Sequence, residues 1–171
     1  MSERAGEGPQ LEAAPGLVVS WDGERLAGYR QGGDVTPAWD LDGSLSPGHS
    51  ALRVLAAAFE DGSLLLLAAA RPVESSAHDG ERVAALLIDR EGAAEEPEEV
   101  LLSTEYAADG AIRRTGIEIY RAGEDYPLRA AGDTARSERD ERDELRTERA
   151  AMSFRMDGLS GRALYEIVHT V

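Results

Sequence analysis

The hydrophobic pattern of the chain centres on two apolar runs, Val54–Phe59 and Leu64–Ala70, which flank the polar stretch Glu60–Ser63. An Asp-Gly pair between apolar runs, here Asp61-Gly62, is a strong hairpin signal, because tight turns need a positive φ that glycine adopts without a clash. Nearly every position of both runs is apolar, which is typical of a strand covered on both faces or of a buried helix. Each run is shorter than a stable helix usually is, so we predict two antiparallel strands.

The same turn signal recurs along the chain and divides most of it into short segments. The other pairs are Asp22-Gly23, Asp42-Gly43, Asp79-Gly80, Asp109-Gly110, Asp157-Gly158 and the weaker Glu91-Gly92. Many short strands separated by evenly spaced turns are typical of a barrel or a sandwich. We predict an all-β fold, an antiparallel up-and-down meander of about eight to nine strands that forms a barrel or half-barrel.

The N-terminal part of the chain carries a weaker strand pattern. Residues 1–15 are polar and aperiodic, so we expect a disordered tail, followed by a single domain over residues 16–171. A first hairpin is predicted over Leu17–Arg30. Gln31–His49 is rich in Gly and Pro, which predicts a long irregular connection with at best a short edge strand at Val35–Leu41. The later predicted strands are Val83–Asp89, Val100–Tyr106, Ile112–Arg121, Tyr126–Ala131, Ala150–Met156 and Arg162–Val171.

Residues 133–149 fit two interpretations. Their composition has helix propensity, but Leu145 is their only large apolar residue, and a helix that is polar all round has no face to bury. The alternative is two strand ends around a solvated turn near Asp140–Asp143. Ala150–Met156 alternates apolar and polar positions, which favours a strand after that turn.

Charge and composition exclude several classes of function. The sequence has 33 acidic and 18 basic residues and a net charge of −15, which disfavours binding to nucleic acid and to anionic membranes. Cysteine is absent, so disulfides and thiolate chemistry are excluded. No apolar run is long enough to cross a bilayer, and the N-terminus lacks a signal-peptide pattern. We therefore expect a cytoplasmic protein without membrane insertion.

Candidate chemistry is sparse in this sequence. His49, His78 and His169 share no spacing typical of metal ligands, so no metal site is predicted. The glycines of Gly28–Gly33 lack the strand-to-helix context of a phosphate loop, and no cofactor is predicted. Glu166 lies between the apolar residues Tyr165 and Ile167. Strand alternation turns its side chain to the opposite face from theirs, which explains an acidic residue at this position without a buried site.

Five segments from Ala58 onwards carry a resemblance to a known family. They are Ala58–Ser63, Arg71-Pro72, Tyr106–Gly110, Tyr126–Gly132 and Asp157–Glu166. In their order and spacing they resemble the second of the two β-domains in the lipocalin-like proteins of the AttH and carotenoid hydratase group. The resemblance implies a lipocalin-like barrel or half-barrel with an apolar interior. Proteins of that group bind or act on hydrophobic small molecules of isoprenoid or polyketide type.

Two departures from that group are visible in the sequence. Its members usually carry two such domains, whereas this chain has room for one. Their early loop tends to bring Asp, His and Trp together, whereas residues 31–40 here keep Asp34 and Trp39 and contain no His. The leading hypothesis is therefore a binding module for a hydrophobic small molecule in a barrel cavity.

The aromatic side chains can line such a cavity, where aromatic walls are common, and the alternative is that they fill a dry core. The candidate ligand-binding residues are Trp21, Tyr29, Asp34, Trp39, Phe59, Tyr106, Tyr120, Phe154 and Tyr165. One alternative is a hydratase or cyclase in which Asp34 or another interior carboxylate acts as the acid; the sequence names no catalytic residue beyond that suggestion. The other is a non-catalytic β-domain that forms a homodimer or binds a partner β-domain.

Overall fold

The computed structural model describes residues 9–14, 17–21, 26–30, 36–39, 48–75 and 80–171 of the chain. Nearly all regular structure in these residues is antiparallel β-strand, which confirms the predicted fold class. The strands are β1 (Gln10–Ala14), β2 (Leu17–Trp21), β3 (Leu26–Arg30), β4 (Thr36–Trp39), β5 (His49–Phe59), β6 (Leu64–Pro72), β7 (Arg82–Ile88), β8 (Ala94–Glu95), β9 (Glu99–Tyr106), β10 (Ile112–Tyr120), β11 (Leu128–Arg142), β12 (Leu145–Met156) and β13 (Leu159–Thr170).

Strands β5 to β13 form a nine-stranded sheet in the order β8-β7-β6-β5-β13-β12-β11-β10-β9. Strands that follow each other in sequence lie side by side, except that β5 pairs with β13 and that β8 and β9 lie at opposite edges. Because β8 leads directly into β9, and because β7 also contacts β9, the sheet curls until its edges approach each other. The result is a curled half-barrel.

The central hairpin has the predicted turn. The Phe59 amide donates to the Ser63 carbonyl oxygen at 2.9 Å, and Gly62 has a φ of +87°. Asp61 Oδ1 accepts the Ser63 backbone N–H at 2.9 Å, which fixes the turn from within. Asp109 accepts the Ala111 N–H in the same way at 3.0 Å. These Asp-Gly pairs are reversal points because the carboxylate and the glycine satisfy the two demands of the turn.

The β5–β6 hairpin lacks alternation because both of its faces are buried. Leu55 and Leu67 belong to the core on the concave side of the sheet, and both have no exposed surface. Val54 and Leu66 point the other way into a second core, and they are at most 1% exposed. The predicted strand covered on both faces is therefore correct.

A small sheet of four strands, in the order β1-β2-β3-β4, covers part of the convex face. Leu11 of β1 and Val19 of β2 pack on the outward side chains of the β5–β6 hairpin, and β1 also contacts β7. The β2–β3 pair confirms the predicted first hairpin. β1 occupies residues that composition assigned to a tail. A strand with one large apolar residue gives too short a pattern to detect, yet Leu11 is only 2% exposed.

Residues 133–149 are strands, so the helical interpretation was wrong. β11 and β12 pair without interruption from Ser137–Ala150 to Arg142–Leu145. The turn consists of Asp143 and Glu144, which have φ values of 49° and 66°. This stretch has few apolar side chains. Its cross-strand neighbours form ion pairs instead, such as Arg146 with Glu141.

Some of the predicted turns lie in segments that the structure does not describe. The turns at Asp22-Gly23 and Asp42-Gly43 lie outside the described residues, as do Asp79 and His78. Within the predicted irregular connection, β4 is the edge strand of the small sheet.

One contact in the concave core depends on the absence of a side chain. The Phe154 ring lies over Gly132, so a Cβ built on Gly132 would meet ring atoms at 2.0 Å. Phe154 is 2% exposed and pairs with Gly132 across β12 and β11. The ring therefore has no room to move away from an added methyl group.

We expect Gly132→Ala to lower the free energy of unfolding by about 1–3 kcal/mol, because it overpacks this contact. In a Phe154→Ala background the same substitution should cost much less, since the ring is gone. Urea denaturation of the four proteins in this double-mutant cycle measures the coupling. Equal costs in both backgrounds would contradict the contact.

We expect Glu144→Gly to stabilise the protein by about 0.5–1 kcal/mol, because glycine removes the penalty of a left-handed non-glycine residue. Glu138→Gly, within β11, is the matched control and should destabilise, since glycine weakens a strand interior. Thermal denaturation of both variants tests the assignment of the turn. A Glu144→Gly variant less stable than the parent would oppose it.

Candidate functional site

The structure distributes the predicted ligand-binding residues over both sides of the half-barrel. Phe59, Phe154 and Tyr165 lie in the concave core and are at most 5% exposed. Trp21 belongs to the core on the convex side. Tyr29 and Trp39 lie on β3 and β4 of the small sheet, and Asp34 lies outside the described residues.

The two remaining tyrosines lie near the ends of β9 and β10. Tyr106 is 51% exposed at the last position of β9. The Tyr120 hydroxyl donates to Glu118 Oε2 at 3.2 Å on the same strand. The candidate residues that the structure describes therefore do not form one wall. Alternation predicts which residues share a face, but not which face of each strand turns inward.

One end of the concave face is polar and is built around Arg53. Strand alternation turns Arg53 inward beside Leu55, and its Nε donates to Glu81 Oε1 at 2.8 Å. A second hydrogen bond joins its Nη2 to Glu81 Oε2, so the pair is bidentate. The two side chains are 9% and 6% exposed. Such a pair is geometrically specific and is held away from water.

Arg53 also connects to two hydroxyl groups. Its Nη1 donates to Thr104 Oγ1 at 3.4 Å, and Thr104 Oγ1 lies 2.7 Å from the Tyr165 hydroxyl. Burial lowers the pKa of Arg53, but the hydrogen bond to Glu81 and the nearby acidic groups outweigh it and raise that pKa above its ordinary value. Burial raises the pKa of Tyr165, so its hydroxyl stays protonated at neutral pH.

A second inward ion pair lies at the rim of the same end. Arg139 Nη2 is 2.7 Å from Glu148 Oε1, and the Glu148 side chain is 9% exposed. Arg139 also donates to the Asp109 carbonyl oxygen at 3.3 Å, beside a cavity of about 230 Å³. Glu81 and Glu148 are thus both held by arginines, which favours structural roles for these inward carboxylates.

A larger cavity of about 660 Å³ lies on the convex face, and we call it the outer groove. Its lining residues are Trp21, Ala58, Ala135, Ala151, Met152, Ser153, Arg162, Ala163 and Leu164. The register explains the location: Ala58 pairs with Arg162, and Arg162 pairs with Ser153, so adjacent outward positions of β5, β13 and β12 form the floor. Trp21, at the end of β2, forms a wall.

Small side chains give the outer groove its depth. Leu164 pairs with Ala151 on the neighbouring strand, and Ala135 lies at a register shift of β11 beside them. Trp21 is only 7% exposed, so most of its ring is packed. Apart from Trp21, none of these residues was predicted from the sequence. The only sequence feature that points to the groove is the set of alanines at outward strand positions. These alanines line a common cavity only because β5 pairs with β13.

Glu166 lies next to the groove on the same face. Alternation turns it outward, as expected, yet it is only 6% exposed. Arg149 Nη2 lies 3.0 Å from Glu166 Oε1 across β12 and β13. This ion pair borders the groove on the side of Leu164.

The described residues form neither a metal-binding cluster nor a membrane-spanning helix. Among the residues that the structure describes, no three side chains of His, Cys, Asp or Glu are arranged to hold a metal ion. The same part of the chain contains no helix long and apolar enough to cross a membrane.

Comparisons with known proteins support the fold. No family model matches the sequence, and no curated protein matches it. A crystal structure from Nitrosomonas europaea, of a protein with the provisional name AttH, is similar with a TM-score of 0.50 and 18% identity. The similarity covers 88% of this chain and 48% of that one. The chain thus spans about half the length of that protein, and at this identity the likeness shows the fold alone.

We expect Arg53→Met to lower the free energy of unfolding by about 3–5 kcal/mol, because it removes the counter-charge of a buried carboxylate. The double variant Arg53→Met/Glu81→Met should recover much of that loss, since it removes both charges. Arg113→Met, which breaks the exposed ion pair with Glu105, is the control and should cost less than about 1 kcal/mol. Guanidinium denaturation measures all three. A double variant as unstable as the sum of its singles would contradict the coupling.

Proposed function

We propose that the protein is a binding module for a hydrophobic small molecule and that it holds this molecule in the outer groove. The observation that carries the proposal is the apolar groove of about 660 Å³ between Trp21 and the outward side chains of β12 and β13. Ligand pockets usually have volumes of about 300–1,000 Å³ and combine apolar walls with few polar groups. The groove has this size and this character.

The location differs from the barrel cavity expected from the sequence. Large side chains occupy the concave core: Tyr165 is 1% exposed, Phe154 is 2% exposed, and Leu55 and Leu67 have no exposed surface. Protein interiors packed in this way hold few voids larger than a water molecule. The convex face is different, because its small residues leave space beside the small sheet.

The catalytic alternative receives less support. It requires an interior carboxylate that can act as an acid, and Glu81 and Glu148 are both held in ion pairs. Asp34 lies outside the described residues. A role in homodimers or with a partner β-domain stays a prediction. Its motive is that the similar Nitrosomonas europaea chain is about twice as long as the region matched here.

The proposal predicts that N-phenyl-1-naphthylamine, a neutral apolar dye, binds the protein with one site and gains fluorescence. Ala151→Phe should weaken this binding about tenfold or more, because the added ring fills the groove floor. Ala131→Phe, on the convex face of β11 but outside the groove lining, is the matched control and should leave the affinity unchanged.

Fluorescence titration gives the affinities, and circular dichroism verifies that each variant is folded. Binding that survives Ala151→Phe would move the site away from the groove, and no binding by the folded parent protein would count against the function itself. Native mass spectrometry of protein from its own host would show any ligand retained.

A further inference from the structure

Three arginines surround the floor of the outer groove. Arg162 of β13 lines the groove directly. Arg136 of β11 pairs with Ala151 of the groove floor and so points outward beside it. Arg155 lies two positions after Ser153 on β12 and therefore on the same face, diagonal to Arg162. All three side chains are exposed.

These arginines differ from the neighbouring Arg114 and Arg149. Arg162, Arg155 and Arg136 make no ion pair or hydrogen bond with any described residue. By contrast, Arg149 binds Glu166 and Arg114 binds Asp133 at the border of the same region. In a chain of net charge −15, three arginines without a described partner thus border one floor, and Asp133, which lies between them on β11, is held by Arg114.

An apolar floor beside unpaired arginines is complementary to an amphipathic anion. Arginine binds carboxylate and phosphate oxygens through its fork of N–H groups, and an apolar chain would cover Ala151 and Leu164. We infer that the ligand of the outer groove is a single amphipathic anion, an apolar chain with a carboxylate or phosphate headgroup. The chain lies on the alanine floor and the headgroup lies at Arg162, Arg155 and Arg136. This inference rests on the proposed function, and it names the ligand class.

The test is displacement of N-phenyl-1-naphthylamine by three ligands with the same chain: dodecanoic acid, dodecyl phosphate and methyl dodecanoate. At low ionic strength the anions should bind more tightly than the ester by about tenfold or more, because three exposed charge pairs that each contribute roughly a factor of two to five multiply. The acid and the phosphate arms identify which headgroup is preferred. Added salt should reduce the difference in affinity between the anions and the ester, since exposed charges are screened.

Variants locate the headgroup. Arg162→Gln should reduce the preference for anion over ester about two- to fivefold, and the triple variant Arg136→Gln/Arg155→Gln/Arg162→Gln should abolish it. Both variants should still bind the ester, because the apolar floor is intact. Arg82→Gln is the control, since Arg82 is exposed on β7 and likewise makes no ion pair or hydrogen bond with a described residue. It should change nothing.

The outcomes separate this inference from the proposed function. If the ester binds as tightly as both anions, the groove binds apolar molecules without selecting charge, and the inference is wrong while the function stands. If the preference persists in the triple variant, the headgroup lies elsewhere, which also overturns the inference. If neither dye nor any of the three ligands binds the folded protein, the function fails as well.

Discussion

The fold depends on the burial of both faces of the β5–β6 hairpin. Successive residues such as Val54 and Leu55 point to opposite sides, and each has almost no exposed surface. Burial of apolar surface contributes about 25 cal/mol per Å², so a strand that is apolar on both faces is stable only when two layers cover it. The curl of the large sheet supplies one layer, and the small sheet supplies the other. Burial of the apolar β5–β6 hairpin therefore requires both sheets.

The position of the outer groove follows from this arrangement. Leu11 and Val19 of the small sheet pack against the convex face of β5 and β6, where the outward side chains are apolar. Beyond β5 the outward residues change to Arg162, Ser153 and similar polar or small side chains, which do not hold a covering sheet. The groove lies where the covering layer ends, and Trp21 marks that boundary. The filled concave core and the partly covered convex face thus both follow from the two apolar faces of the β5–β6 hairpin.

Much of this fold could be predicted from the sequence because its turns are local. An Asp-Gly pair fixes a reversal within a few residues, as at Asp61-Gly62 and Asp109-Gly110. The turn at Asp143 and Glu144 has no glycine, so nothing in its composition announces two positive φ values. The groove could not be predicted, since it requires β5 to pair with β13 across most of the chain. The sequence named Trp21 only as a candidate for the cavity wall, and the packing of the small sheet places it in the core on the convex side.

The charge of the protein constrains how the outer groove could recognise an anion. A net charge of −15 repels anions at long range, whereas Arg162 and its neighbours attract them at contact. At physiological ionic strength, charges separated by more than about 8 Å are largely screened, so groups at the binding site dominate once a ligand is bound. The overall charge then acts mainly on the rate of encounter, and the local arginines act on the lifetime of the complex. An acidic surface and an anion-selective groove are therefore physically compatible in one molecule.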